Sequence, residues 1–269
     1  MLPIAINHIT VPNLGYKDLF SLAADLGCVG VELRNDLNRP LFDHDQAADV
    51  GAAAKKNGLR ILGLSQVYPF NDVSDEMLLK VKRLISEAKA CGAETISLIP
   101  RNDGVGIGKT ERIANLKLAL EAITPLLESA NMIALIEPLG FETSSLKSKE
   151  EIVEVIDNMA VSASYRLVHD TFHHALAGYG PIFPNYTGIV HVSGVVERNL
   201  AFSDMRDEHR LLVDDEDRLS NLVQLRALYD EGYQGPISFE SFSPFIHQLK
   251  DPKTKIRESI QFLKTNINQ

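Results

Sequence analysis

The sequence predicts a single (β/α)8 barrel spanning residues 1–269, and three observations carry that expectation. Eight short aliphatic or β-branched runs recur along the chain, stretches with helical periodicity lie between most of them, and glycines mark the helix ends. The runs are Ile4 to Ile9, Val29 to Leu33, Ile61 to Leu64, Thr95 to Ile99, Ile133 to Ile136, Arg166 to Val168, Gly188 to Val192 and Pro236 to Phe239. Between them Leu78, Val81, Leu84, Ile85 and Ala88 share one helix face, and Ile113, Leu116, Leu120 and Ile123 another.

Gly27, Gly58, Gly92 and Gly232 each stand where a helix ends in the left-handed conformation. Ser148-Lys-Glu-Glu151 has the form of a capping box, and Asp251-Pro252 reads as an N-cap followed by a first-turn proline. Strands six and seven are too close for a long helix. Ser193 to Asp217 reads as a long loop over the carboxyl ends of the strands, where such barrels carry their chemistry.

Composition narrows the function. A formal net charge of -9 opposes attraction to polyphosphates and anionic lipid, so nucleic acid and membrane are not expected partners. The first residues lack a basic start and a long apolar core, and the expected location is cytoplasmic. Cys28 and Cys91 read as structural thiols in helix-to-strand loops, without a neighbouring His to activate either. Gly104-Val-Gly-Ile-Gly108 has neither dinucleotide nor Walker spacing and reads as a loop, and no organic cofactor is expected.

Most strands end in a residue that can ligate or hydrogen-bond. Strand one offers Asn7 and His8; strand two, Glu32, Arg34, Asn35 and Asp36; strand three, Gln66; strand four, Arg101 and Asn102. Strands five to eight end in Glu137, Asp170, His191 and Glu240, a mixed oxygen and nitrogen set suited to one divalent ion: Mn2+ first, with Mg2+, Co2+ and Zn2+ as alternatives. Strand alternation turns His169 away from Asp170 toward the helical layer, whereas His173 can reach back over the site and His174 reads as a structural neighbour.

These residues resemble the xylose-isomerase-like TIM-barrel family, in which a Glu, an Asp-x-x-His, a His and a Glu end strands five to eight. Within it, Val-Glu-Leu-Arg-Asn-Asp36, Ile-Glu-Pro-Leu-Gly-Phe-Glu142, Val-His-Asp-Thr-Phe-His-His174, His-Val-Ser-Gly-Val195 and Phe-Glu-Ser-Phe242 look like the inosose isomerases (2-keto-myo-inositol isomerases) of inositol catabolism. The resemblance implies that Glu137, Asp170, His191 and Glu240 bind the metal and that Glu137 and Glu240 also exchange protons with a small polyhydroxylated ketone. His8, Glu32, Arg34, Gln66, Asn102 and His173 are candidate substrate contacts. Relatives often place an arginine of the seventh loop against a substrate oxygen, and Arg206 and Arg210 are both candidates. A homo-oligomer is expected by analogy alone. The alternatives are an inosose dehydratase or ketose 3-epimerase on the same metal site, a metal-dependent endonuclease and a non-catalytic sugar-binding protein.

Overall fold

The computed structural model describes residues 2–267. Strands β1 (Ile4–Asn7), β2 (Gly30–Arg34), β3 (Arg60–Val67), β4 (Thr95–Leu98), β5 (Ile133–Ile136), β6 (Tyr165–Asp170), β7 (Thr187–Val192) and β8 (Ile237–Phe239) follow one another around a closed barrel. Neighbours pair in parallel, including β8 with β1. Between and after them lie α1 (Tyr16–Asp25), α2 (Ala47–Lys56), α3 (Asp75–Cys91), α4 (Lys109–Ala130), α5 (Lys149–Asn158), α6 (Thr171–Leu176), α7 (Asn221–Asp230), α8 (Pro244–His247) and α9 (Pro252–Asn266). All eight expected strands are present, and among the described residues no helix is long and apolar enough to cross a membrane.

The helices form as the periodicity indicates. Helix α3 buries Met77, Val81, Leu84, Ile85 and Ala88 against the sheet, capped by Ser74, whose hydroxyl accepts from the Met77 N–H. Gly92 ends it at φ 74°, a conformation a side chain disfavours. Gly27, Gly58 and Gly232 also take positive φ. Asp251 caps α9 with Pro252 in its first turn.

Some boundaries differ from expectation. β1 stops at Asn7, because the Asn7 side chain accepts from the Ile9 N–H and His8–Thr10 coils into a 3-10 turn. Cys91 is the last residue of α3 rather than part of the loop after it, and both cysteines are buried free thiols. Ser148 caps α5, but Glu151 pairs with Arg112 instead of returning to the cap.

Two hydrophobic layers organise the molecule. The larger lies between sheet and helices; the smaller, inside the barrel, consists of Ala5, Leu62, Leu135, Val168 and Ile189. Two residues further along the same inward faces stand Asn7, Glu137, Asp170 and His191. The period of two along a strand therefore sets a polar ring directly above an apolar plug. Register levels the ring, since Asn7 lies opposite Glu32 and Asp170 opposite His191.

Candidate metal centre and active site

Glu137, Asp170, His191 and Glu240 are all buried, and one donor atom from each lies within 4.8 Å of the others. Register supplies part of this convergence. Local turns supply the rest: Asp170 also caps α6 by accepting from the His173 N–H at 2.9 Å, which fixes its carboxylate at the strand end.

His191 reveals what the cluster is built to hold. Its Nε2 lies 3.1 Å from Glu32 Oε2, a pairing that leaves Nδ1 as the free lone pair. Nδ1 is buried without a hydrogen-bond partner, 3.1 Å from Glu240 Oε2 and 3.8 Å from Glu137 Oε1. A lone pair facing carboxylates in a buried site needs a cation between them, so the donors present fit one divalent ion. Burial draws the His191 pKa down, but the Glu240 and Glu32 charges outweigh it and hold the imidazole well above its ordinary value, so the cation facing the carboxylates without an ion is a proton on Nδ1, which a divalent ion would displace.

The two glutamates are driven apart. Burial and then the charge of Glu240 raise Glu137. Burial also pushes Glu240 upward, yet His191, Arg210 and Arg34 outweigh it and hold Glu240 well below the carboxylate range. One carboxyl therefore tends to keep a proton where its neighbour stays ionised.

Two arginines frame Glu240. Arg34 donates from Nη1 to Glu240 Oε1 at 2.8 Å and grips Asp36 with Nε and Nη2. Arg210, only 1% exposed, donates from Nη2 to Asp170 Oδ2 at 2.5 Å and to Glu240 Oε2 at 2.8 Å. Its Nε reaches Ser193 Oγ, and its guanidinium lies between the rings of Phe172 and Phe242. Of the two loop arginines it is Arg210 that enters the site. Arg206 is exposed and donates to the Ser203 and Met205 carbonyls of its own loop.

A cavity of about 270 Å³ opens above the cluster, its wall including Arg34, Gln66, Asn102, Glu137, His173, Arg210 and Glu240. His173 Nδ1 accepts from the Gly140 N–H at 3.2 Å, so its Nε2 carries the proton. That contact demands glycine: a Cβ at residue 140 would run into the His173 carbonyl.

Two further candidates lie off this wall. His8 is turned away by the 3-10 turn and its Nε2 meets the Leu14 carbonyl at 2.9 Å. Glu32 lies behind His191, held also by Asn7 Nδ2, which donates to Glu240 Oε1 as well. Asp36, Asp207, Tyr68, Phe141 and Phe242 also line the cavity, and of these only Asp36 is marked in the sequence, as a strand-end polar residue. His169 faces the helical layer as alternation requires, its Nδ1 2.7 Å from the Lys149 Nζ and its Nε2 2.9 Å from Gln224.

Fold and site together define a (β/α)8 barrel with one buried carboxylate–imidazole centre suited to a divalent ion. The chain belongs to the xylose isomerase-like TIM barrel family, whose model matches residues 20–266. A xylose isomerase domain containing protein from Salmonella typhimurium LT2 is 29% identical, with a TM-score of 0.89 over 99% of this chain and 97% of that one. The IolI protein, crystallised with zinc, superposes with a TM-score of 0.87 at 17% identity, covering 99% and 98% of the two chains. D-psicose 3-epimerase from Clostridium cellulolyticum H10 gives 0.71 at 15% identity, covering 99% of each. Comparison with curated proteins returns no match.

Proposed function

We propose that the protein is a metal-dependent isomerase that moves a carbonyl between adjacent carbons of a cyclic polyol ketone, an inosose, through an enediolate. The observation that carries this reading is the pair Glu137 and Glu240 on the wall of one cavity, converging with Asp170 and His191 in a single buried donor cluster.

Moving a carbonyl along a ring requires taking a proton from the carbinol carbon, returning one to the former carbonyl carbon, and passing the hydroxyl proton from the one oxygen to the other. Glu137 and Glu240 are the pair that takes the one proton and returns the other. Glu137, Asp170, His191 and Glu240 would hold a divalent ion, which would supply Lewis-acid stabilisation of developing negative charge. The zinc in the IolI structure supports a divalent ion on this scaffold.

The remaining groups orient the substrate. Arg210 brings a permanent positive charge to a buried wall, where it favours negative charge developing on substrate oxygen. His173 presents Nε2–H, while Gln66, Asn102 and Arg34 add donors along the same wall. Phe141 and Phe242 add apolar surface to the same wall.

Product analysis by NMR and mass spectrometry tests the assignment with an inosose and the Mn2+-loaded protein. An isomeric ketone of unchanged mass is expected. Loss of water would indicate a dehydratase instead, and inversion beside an unmoved carbonyl an epimerase.

A further inference from the structure

Two larger chambers adjoin the reaction cavity, and the state of their polar groups distinguishes them. One, of about 470 Å³, shares Asp36, Gln66 and Tyr68 with the cavity. Its charges are already paired: Arg39 with Asp43, Lys80 with Glu76 and Arg83 with Glu87, while Asp36 receives Arg34. Every charged side chain there already has a partner of opposite sign, and Gln66 Oε1 and the Tyr68 hydroxyl are the uncommitted polar groups among the described residues.

The other, of about 450 Å³, shares Asn102, Phe141 and Asp207 with the cavity. Phe141, Leu176 and Phe202 give it apolar surface. Its polar groups are underused. Asn102 Oδ1 accepts from Thr143, but its Nδ2 donates to nothing among the described residues. The Glu142 side chain forms no hydrogen bond or ion pair among them. Arg206 commits Nη1 to two backbone carbonyls and forms no ion pair among them. Asp207 offers only Oδ1 to Arg210.

Aromatic surface bordered by unpaired donors and acceptors of both signs selects a ligand with apolar faces and a hydroxyl rim. A purely aromatic group would bury Asn102 and Glu142 without partners. A phosphate would meet the Glu142 and Asp207 carboxylates. A sugar ring satisfies both kinds of surface.

We propose that this chamber is a second subsite that takes a glycosyl ring, so that the substrate is a ketone-bearing ring joined through a glycosidic oxygen to a second sugar. The inference rests on the isomerase reading for the identity of the first ring. The shared residues Asn102, Phe141 and Asp207 mark where the link passes from one chamber to the other.

Isothermal titration calorimetry on the Mn2+-loaded protein compares myo-inositol with galactinol, the same ring carrying a galactosyl group. Neither needs to react, so the result is independent of turnover. Galactinol is expected to bind about tenfold more tightly, and Phe202→Ala and Arg206→Gln should each reduce that advantage while leaving myo-inositol affinity unchanged. Galactinol binding no tighter than myo-inositol, or an advantage that survives both substitutions, overturns the proposal. Failure of the isomerase reading would show separately, as the absence of carbonyl transfer in an inosose.

Discussion

Replacing Glu32 by Gln tests whether this residue orients His191. Glu32 is 1% exposed and takes the His191 Nε2 proton at 3.1 Å, leaving Nδ1 directed at Glu137 and Glu240. Glutamine keeps the volume and an oxygen able to accept that proton. It removes the negative charge that raises the basicity of Nδ1, and its amide would confront Asn7 Nδ2, now 3.4 Å from Glu32 Oε1. Partners behind a metal-bound histidine typically contribute a factor of about 10–100 in affinity, or roughly 1.4–2.7 kcal/mol. Chelator competition with Mn2+ and Zn2+ should therefore show weakening of that order, with an unchanged far-ultraviolet circular dichroism spectrum. Wild-type affinity in Glu32→Gln would refute the orienting role.

Other substitutions probe the surrounding structure. Gly140→Ala should destabilise the protein by about 1–3 kcal/mol and raise KM by displacing His173, and an unchanged denaturation midpoint would contradict the close approach. Arg210→Lys keeps the charge but cannot span Asp170, Glu240 and Ser193 together, so kcat/KM should fall about 10–100-fold; wild-type kinetics would remove Arg210 from the mechanism. Lys149 is lowered by burial from 10.5 to about 7, against the opposing charge of Asp170. Between these values the unfolded chain holds the proton that the folded one releases, so stability rises with pH across that window. Relative to Lys149→Met, the wild type should gain up to about 1.4 kcal/mol per pH unit from pH 7 to 10, and parallel stability curves would contradict the lowered pKa.

The barrel was legible because strand and helix periods differ and because glycine punctuates the helix ends. The four donors were legible because each follows an aliphatic run that fixes its facing: Val168 inward implies Asp170 inward and His169 outward. Side-chain reach across strands leaves no such trace. Glu32 and Arg34 share a face of β2, yet one settles behind His191 and the other extends to Glu240. His8 was expected at the site as a residue of the first strand, but the Asn7 side chain, accepting from the Ile9 N–H, ends that strand at Asn7, two residues before the expected limit. The choice of Arg210 over Arg206 depends on the course of the long loop, pinned by the pairing of Gly194 with Leu211.

Solvent-deuterium exchange followed by NMR tests the central assignment most directly. With Mn2+ and an inosose in D2O, deuterium should appear at the carbon beside the carbonyl at a rate commensurate with turnover, and Glu240→Gln should slow it by about 10²–10⁴-fold. An inosose that gains no deuterium from the metal-loaded wild type, or gains it equally fast with Glu240→Gln, would contradict proton transfer by this pair.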